Sequence, residues 1–163
     1  MDIGLLIDGD KRDASGAAAY ERMDPFTGKL ATRAAAASVA DANAAVEAAA
    51  AAFATWSKTG PGERRALLSR AADVMASKVV EFTRLMMEET GATGPWAGYN
   101  VMLTANMMRE AAAKTTQISG EINPSDKPGT LAMAIRQPAG VCLGIAPWNA
   151  PVILGTRAVA MPI

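Results

Sequence analysis

The sequence predicts an α/β fold in which an N-terminal hairpin and a helical region lead into the first βα unit of a parallel sheet. Three observations predict it. Short extended runs alternate with turn residues at the N-terminus and again near residue 130. Apolar residues then recur at helical spacing from about residue 41 to residue 114. Finally, a nearly unbroken apolar run, Ala139 to Ala146, stops at Pro147-Trp148-Asn149 and is followed by a helix start at Pro151. An apolar run of that length, bounded by turn residues, suits a strand buried on both faces.

The first extended run is Ile3 to Gly9, closing at Asp8-Gly9. A second lies around Ala18, Tyr20 and Arg22, ends at Asp24-Pro25 and turns at Thr27-Gly28. Together they read as the N-terminal hairpin. Residues 29–39 read as a third extended piece, although the run Ala34 to Ala37 favours helix. Asp41 is a suitable N-cap for the first helix, whose face holds Val46, Ala49, Ala50, Phe53 and Ala54, with Trp56 near its end. Gly60-Pro61-Gly62 breaks the chain. One long helix is expected from Glu63 to Glu89, with Gly91 as its C′ residue. Gly94-Pro95 opens another, running to Lys114 through Trp96, Tyr99, Leu103, Met107 and Ala111. Gly120 to Gly129 reads as a connector. Thr130 to Arg136 alternates, with Leu131, Met133 and Ile135 on one face, as a half-buried strand does. Residues 1–137 thus form one region, and 138–163 the start of a second, incomplete domain.

Composition narrows the chemistry. The chain has 163 residues, 16 basic and 16 acidic, no histidine and one cysteine. No imidazole means no Ser-His-Asp or Cys-His catalysis and no His-ligated metal, and one thiol makes no internal disulfide or Cys-rich metal site. Zero net charge gives no electrostatic case for nucleic acid or an anionic membrane. No apolar run reaches the length of a spanning helix, and the first residues lack the features of a secretory leader. The expected compartment is therefore the cytoplasm, with Cys142 reduced. Alanine supplies 36 residues and the aromatics only 5%, which predicts close-packed helices around a modest core. The apolar run from Val152 to Ile163 ends without a polar tail, and the expectation is a truncated chain.

The segment with chemical potential is Gly144 to Pro151. Ligands of open α/β sheets bind beyond the carboxyl ends of the strands, where Asn149 stands between two prolines. Its amide is a neutral donor on a stiff turn, suited to a developing oxyanion. The same residue also suits a side chain that only satisfies its own turn.

Residues 138–151, Pro-Ala-Gly-Val-Cys-Leu-Gly-Ile-Ala-Pro-Trp-Asn-Ala-Pro, resemble the opening of the nucleotide-binding domain of the NAD(P)-dependent aldehyde dehydrogenase superfamily. The upstream chain agrees in order: Asp24-Pro25-Phe26-Thr27-Gly28 resembles an early turn, Val46 to Phe53 with Trp56 the first helix, and Gly62-Glu63-Arg64-Arg65 and Glu89-Thr90-Gly91 the ends of the second. The resemblance covers essentially the whole chain and is nearest to aromatic-aldehyde members such as salicylaldehyde and vanillin dehydrogenases. It implies an aldehyde-dehydrogenase-like fold whose second region begins a Rossmann-like cofactor domain. It also implies oxidation of an aldehyde to the carboxylic acid through a thiohemiacetal and a thioester.

In that scheme Asn149 donates to the oxyanion. Ile145, Ala146, Pro147, Trp148 and Asn149 face the nicotinamide and ribose of NAD or NADP, with NAD favoured. Ala150 takes a position that is usually a bulky aromatic in the family, which widens the pocket. Arg157, two helical turns on, contacts a ring substituent of an aromatic aldehyde. Trp96, Tyr99 and Asn100 form the facing wall. Core packing of Trp96 and Tyr99, and a solvated Arg157, are the plainer readings of those side chains. The family's nucleophilic cysteine and glutamate base lie downstream of Ile163, so the chain as it stands is expected to be inactive, and Cys142 is expected to be buried packing. The resemblance further implies a small-molecule aldehyde as partner and a homo-oligomer in the full-length enzyme, through the strand near residues 130–136. A non-catalytic helical interaction module, and a semialdehyde or CoA-acylating relative, are the alternatives.

Overall fold

The computed structural model describes all residues from Met1 to Ile163. The elements are β1 (Asp2–Ile3), β2 (Leu5–Ile7), β3 (Asp10–Arg12), β4 (Ala19–Met23), β5 (Leu30–Ala35), α1 (Val39–Trp56), α2 (Pro61–Ser77), α3 (Val79–Thr90), α4 (Gly94–Lys114), β6 (Glu121–Asn123), β7 (Ala132–Ala134) and α5 (Pro151–Ala160).

The N-terminal pairing differs from the expected single hairpin. Asp8 and Gly9 both adopt positive φ, 55° and 83°, so β2 reverses at once into β3. Such a two-residue turn matches the twist of the flanking strands. The chain around Tyr20 therefore finds a different partner: β4 pairs antiparallel with β5, and β1 joins the far edge of β5 in parallel. The β4–β5 turn is held by Asp24, whose carboxylate accepts from the N–H groups of Phe26 (2.8 Å) and Thr27 (3.1 Å). The strand expected across residues 29–39 forms over Leu30–Ala35, so sheet pairing overrides the helical preference of Ala34 and Ala35.

The helices depart from expectation at two ends. Ser38, not Asp41, is the N-cap of α1; Asp41 is the N3 partner of a capping box. Asp41 also gathers Ser15, accepting its N–H and its hydroxyl (2.7 Å), and so ties the β3–β4 connection to the helix start. The second helix is two. The chain breaks at Lys78, where the Ser77 hydroxyl donates back to Val74 O (2.8 Å) and the Lys78 N–H tightens onto Met75 O. A serine that bonds the preceding turn competes with helix continuation. Gly91 ends α3 in the left-handed conformation, as its position suggested.

The core is small. Only 18 of 163 residues are buried, and the largest fully enclosed side chains are Val101, Asn100, Thr32 and Thr104. It sits on α4, against which α2, α3 and α5 all pack. Leu68, Ala111, Ala112 and Ala160 cluster there with Met108. Polar ties supplement it. Arg65 on α2 donates to Ala112 O (3.3 Å) and to the Thr116 hydroxyl (2.7 Å), capping the end of α4. Glu89 on α3 accepts from the buried Thr32 hydroxyl and pairs with Arg22 at 3.3 Å, joining α3 to the sheet.

Two further regions differ from the sequence expectation. The segment read as a connector contains β6, which pairs with β7, and β7 itself spans only Ala132–Ala134. Met133 within it, and Leu131 and Ile135 beside it, are exposed rather than half-buried, because β6 and β7 form a two-stranded ribbon with nothing on its apolar face. The run Ala139 to Ala146 forms no strand, and Cys142 within it is exposed rather than buried. A segment built for burial between neighbouring strands has no strand on either side. No helix is long and apolar enough to cross a membrane.

Asp41 supplies a pH test. The Ser15 hydroxyl and the Ser38 N–H, followed by the other groups of the two serines, hold its carboxyl well below the ordinary 3.8. The folded state therefore keeps this group ionised where the unfolded chain would protonate it. Its stabilisation is complete above the ordinary value and drains away as pH falls below it. Melting curves by circular dichroism from about pH 6 down to about pH 3 should show a falling Tm that is shallower in Asp41→Asn, whose Tm at neutral pH is already lower.

Candidate functional site

The site is assembled from the segment that leads into α5. No side chain between Gln137 and Thr156 is charged, so any polarity there comes from the backbone and from neutral amides and hydroxyls. Glycine lets the segment lie close on the helix. A Cβ on Gly144 would stand 2.8 Å from the Ala158 Cβ, and a Cβ on Gly155 would stand 3.5 Å from the Ala146 Cβ. Residues 144–146 therefore run back along α5 on a surface of small residues. These two glycines were not singled out from the sequence. Their signal was glycine inside an apolar strand and inside an apolar helix, which marks close backbone approach.

The turn at Trp148 and Asn149 delivers the chain to α5. Ala150, with φ −146° and ψ 59°, is the N-cap, and Pro151 occupies the first helical position. Proline there loses no hydrogen bond and fixes φ for the helix. Leu154 N–H donates to Ala150 O at 3.0 Å, closing the first turn. Asn149 is exposed. The amides of Asn100 and Asn106 hydrogen-bond within the chain, whereas those of Asn43, Asn123 and Asn149 do not. Ile145 is 78% and Trp148 72% exposed, and no backbone–backbone hydrogen bond involves residues 138–149. The segment thus offers unspent N–H and C=O groups beside apolar side chains, with one free amide at its end.

The other residues singled out from the sequence fall into two places. Trp96 and Tyr99, in the first turns of α4, stack with centroids 5.7 Å apart and planes 25° from parallel. Both are exposed, at 44% and 54%, so they are not core residues in this chain. Asn100 does not share their surface: it is fully buried, and its Nδ2 donates to Trp96 O at 2.9 Å. Ala150 is buried beneath the turn, and Arg157 is exposed on α5 with no ion pair among the salt bridges of the chain. α4 and α5 pack together, which brings the aromatic-bearing helix and the helix that follows Asn149 into one layer.

Cys142 lies elsewhere. It lines an apolar cavity of about 290 Å³ with Phe53 and Trp56 of α1, and with Val159 and Pro162 at the far end of α5. α5 is about 15 Å long, so this thiol and Asn149 stand at opposite ends of the helix. Arg64 closes that far end, donating to Trp56 O (2.8 Å), Thr59 O (3.0 Å) and Ile163 O, with its guanidinium 5.0 Å from the Trp56 ring. Sequence reading placed Arg64 only within a family resemblance; its role as a tie between α1, α2 and the end of α5 emerges from the fold.

The close approach at Gly144 can be tested directly. Gly144→Val must push the segment off Ala158, and overpacking of that kind costs about 1–3 kcal/mol. Chemical denaturation should show the loss for Gly144→Val and a clearly smaller one for Gly62→Val, where a Cβ meets open space.

The family model described as "Aldehyde dehydrogenase family" matches residues 12–163. The chain is 58% identical, over 161 residues, to a vanillin dehydrogenase of Pseudomonas sp. strain HR199, covering 99% of this chain and 33% of that enzyme. It superposes on the crystal structure of a salicylaldehyde dehydrogenase from Pseudomonas putida G7, complexed with salicylaldehyde, with TM-score 0.97 and 46% identity, covering 99% of this chain and 34% of that one. An NAD-dependent benzaldehyde dehydrogenase from Corynebacterium glutamicum gives TM-score 0.90 and 32% identity, covering 96% and 34%. The chain spans about a third of the length of these relatives. It belongs to the aldehyde dehydrogenase family.

Proposed function

We propose that this chain supplies the oxyanion-binding turn, and part of the cofactor and substrate surfaces, of an enzyme that oxidises an aromatic aldehyde to its carboxylic acid with NAD or NADP. The observation that carries the reading is the free amide of Asn149, exposed on a proline-bounded turn in a chain 58% identical to a vanillin dehydrogenase. A non-catalytic helical module leaves the Pro147-Trp148-Asn149 element unexplained.

Asn149 is assigned the catalytic role in this chain. Its Nδ2 donates to the aldehyde oxygen as a thiolate adds to the carbonyl carbon and negative charge collects on that oxygen. A donor carried on a turn that Pro147 and Pro151 stiffen needs little backbone reorganisation at that moment. The thiolate is assigned to a cysteine this chain does not contain, because Cys142 stands at the other end of α5. The 163-residue chain by itself is accordingly expected to show no turnover.

The segment fits a nicotinamide cofactor. Its unspent backbone groups suit ribose hydroxyls and a carboxamide, and Ile145 and Trp148 offer exposed apolar surface to a planar ring. Ile145, Ala146, Pro147, Trp148 and Asn149 would hold that part of the molecule, and the bound oxidised cofactor supplies the hydride acceptor. NAD is the proposed acceptor; similar structures include both an NAD-dependent benzaldehyde dehydrogenase from Corynebacterium glutamicum and an NADP-dependent enzyme from E. coli.

For the substrate, the reading places an aromatic ring between the Trp96–Tyr99 stack and the α5 side, with Ala150 leaving space and Arg157 reaching a ring substituent. Asn100, being fully buried, enters this arrangement as the residue that holds Trp96 O rather than as a surface group. Residues 1–137 and 138–163 remain the two regions of the proposal, the second opening the cofactor domain. A homo-oligomer is part of the same reading, supported by the exposed apolar face of the β6–β7 ribbon, and so is a cytoplasmic location, supported by the exposed free thiol of Cys142.

Kinetics on the full-length enzyme test the reading. Asn149→Ala should lower kcat by about 100–1,000-fold with the fold unchanged by circular dichroism; a loss below threefold would remove the oxyanion role. Ala150→Phe should reduce the preference for salicylaldehyde or vanillin over acetaldehyde by at least about tenfold, the scale of a lost apolar pocket contact. An unchanged ratio would show that the ring does not lie beside Ala150.

A further inference from the structure

Two buried polar atoms in this chain have no partner, and both lie on α4. They are Asn100 Oδ1 and Thr104 Oγ1, on side chains with no solvent exposure. Buried polar atoms are nearly always satisfied, and two orphans one helical turn apart call for an account. The Asn100 amide is oriented: its Nδ2 donates to Trp96 O, so Oδ1 is the free end and flipping the amide would forfeit that bond. Residues four apart on a helix face the same way, with Cβ atoms about 5–6 Å apart. That spacing suits two hydrogen bonds of about 2.8–3.0 Å meeting at one bridging oxygen.

We propose that a single buried water molecule bridges Asn100 Oδ1 and Thr104 Oγ1 within the helical layer. The donor and acceptor pattern fits. The amide oxygen can only accept, the threonine hydroxyl both donates and accepts, and water serves both at once. The flanking residues of the same face are fully buried: Ala97, Val101 and Ala105. They close the site to bulk solvent. A dry site would carry the full desolvation cost of both groups. The water would also fix the first half of α4, because the Asn100 amide that it orients holds the backbone of Trp96.

Two measurements on the full-length protein test this. A high-resolution crystal structure should show a water within hydrogen-bond distance of both atoms. Density for no water, or a direct protein partner for either atom, overturns the proposal. Independently, Thr104→Val keeps the side-chain shape and removes the hydroxyl. With the water present it should lower Tm by about 2–5 °C, whereas Thr104→Ser, which keeps the hydroxyl, should lose clearly less. If the hydroxyl is a dry orphan, Thr104→Val leaves Tm unchanged or raises it, which is the opposite sign. Should Thr104→Val fail to fold, the Thr104→Ser comparison and the wild-type density still decide the matter.

Discussion

The packing of α2, α3 and α5 depends on the narrow face of α4. Ala97, Val101 and Ala105 are completely enclosed along it, and α2, α3 and α5 each press against the helix. Alanine brings helices close but buries little area per residue, about one methyl group each. The consequence is a fold whose helices are close but whose apolar stabilisation is thin, with no aromatic residue among its buried side chains. That constraint explains why so many of the long-range ties are polar.

Those ties are distributed where helices end. Helix termini leave carbonyls and N–H groups without intrahelical partners, and each must be met by something. Arg64 meets the carbonyls after α1, Arg65 those at the end of α4, and the Ser38–Asp41 box the N–H groups at the start of α1. Each uses a side chain from a different element or from the preceding turn, so satisfying a helix end also fixes where two elements meet. Arg64 and Arg65 are adjacent on α2, and together they hold two different helices. Asp41 and Glu89 do the same work for the N-terminal sheet.

Much of this was legible in the residues, and the failures have physical causes. The long helix from Gly94 to Lys114 was readable because its punctuation, Pro95 at the start and polar residues at the end, agrees with its periodicity. Asn149 at the entry to α5 was readable because two prolines and an apolar run bracket it. The break at Lys78 was not, because no glycine or proline marks it and the apolar period continues through it. Strand pairing at the N-terminus was misread because proximity in sequence does not say which neighbour a strand will choose; the Asp8–Gly9 turn chose β3. Asn100 was grouped with Trp96 and Tyr99 by sequence adjacency, yet one residue is a rotation of about 100° on a helix, enough to carry it from the exposed face to the core.

The segment from Ala139 to Asn149 shows how composition and conformation can part company. Its residues are those of a strand buried on both faces, but burial of that kind is a property of a sheet, not of a strand. With no neighbouring strand, its backbone groups stay unpaired and Leu143, Ile145 and Trp148 stay exposed. What survives is the part that depends only on local forces: Gly144 seated on Ala158, the proline-bounded turn, and the helix that begins at Pro151. Asn149 belongs to that surviving part. It stands at the entry to α5, which Arg64 and the Ala160 contact anchor at the far end. The backbone that carries Asn149 is therefore placed by elements this chain itself contains.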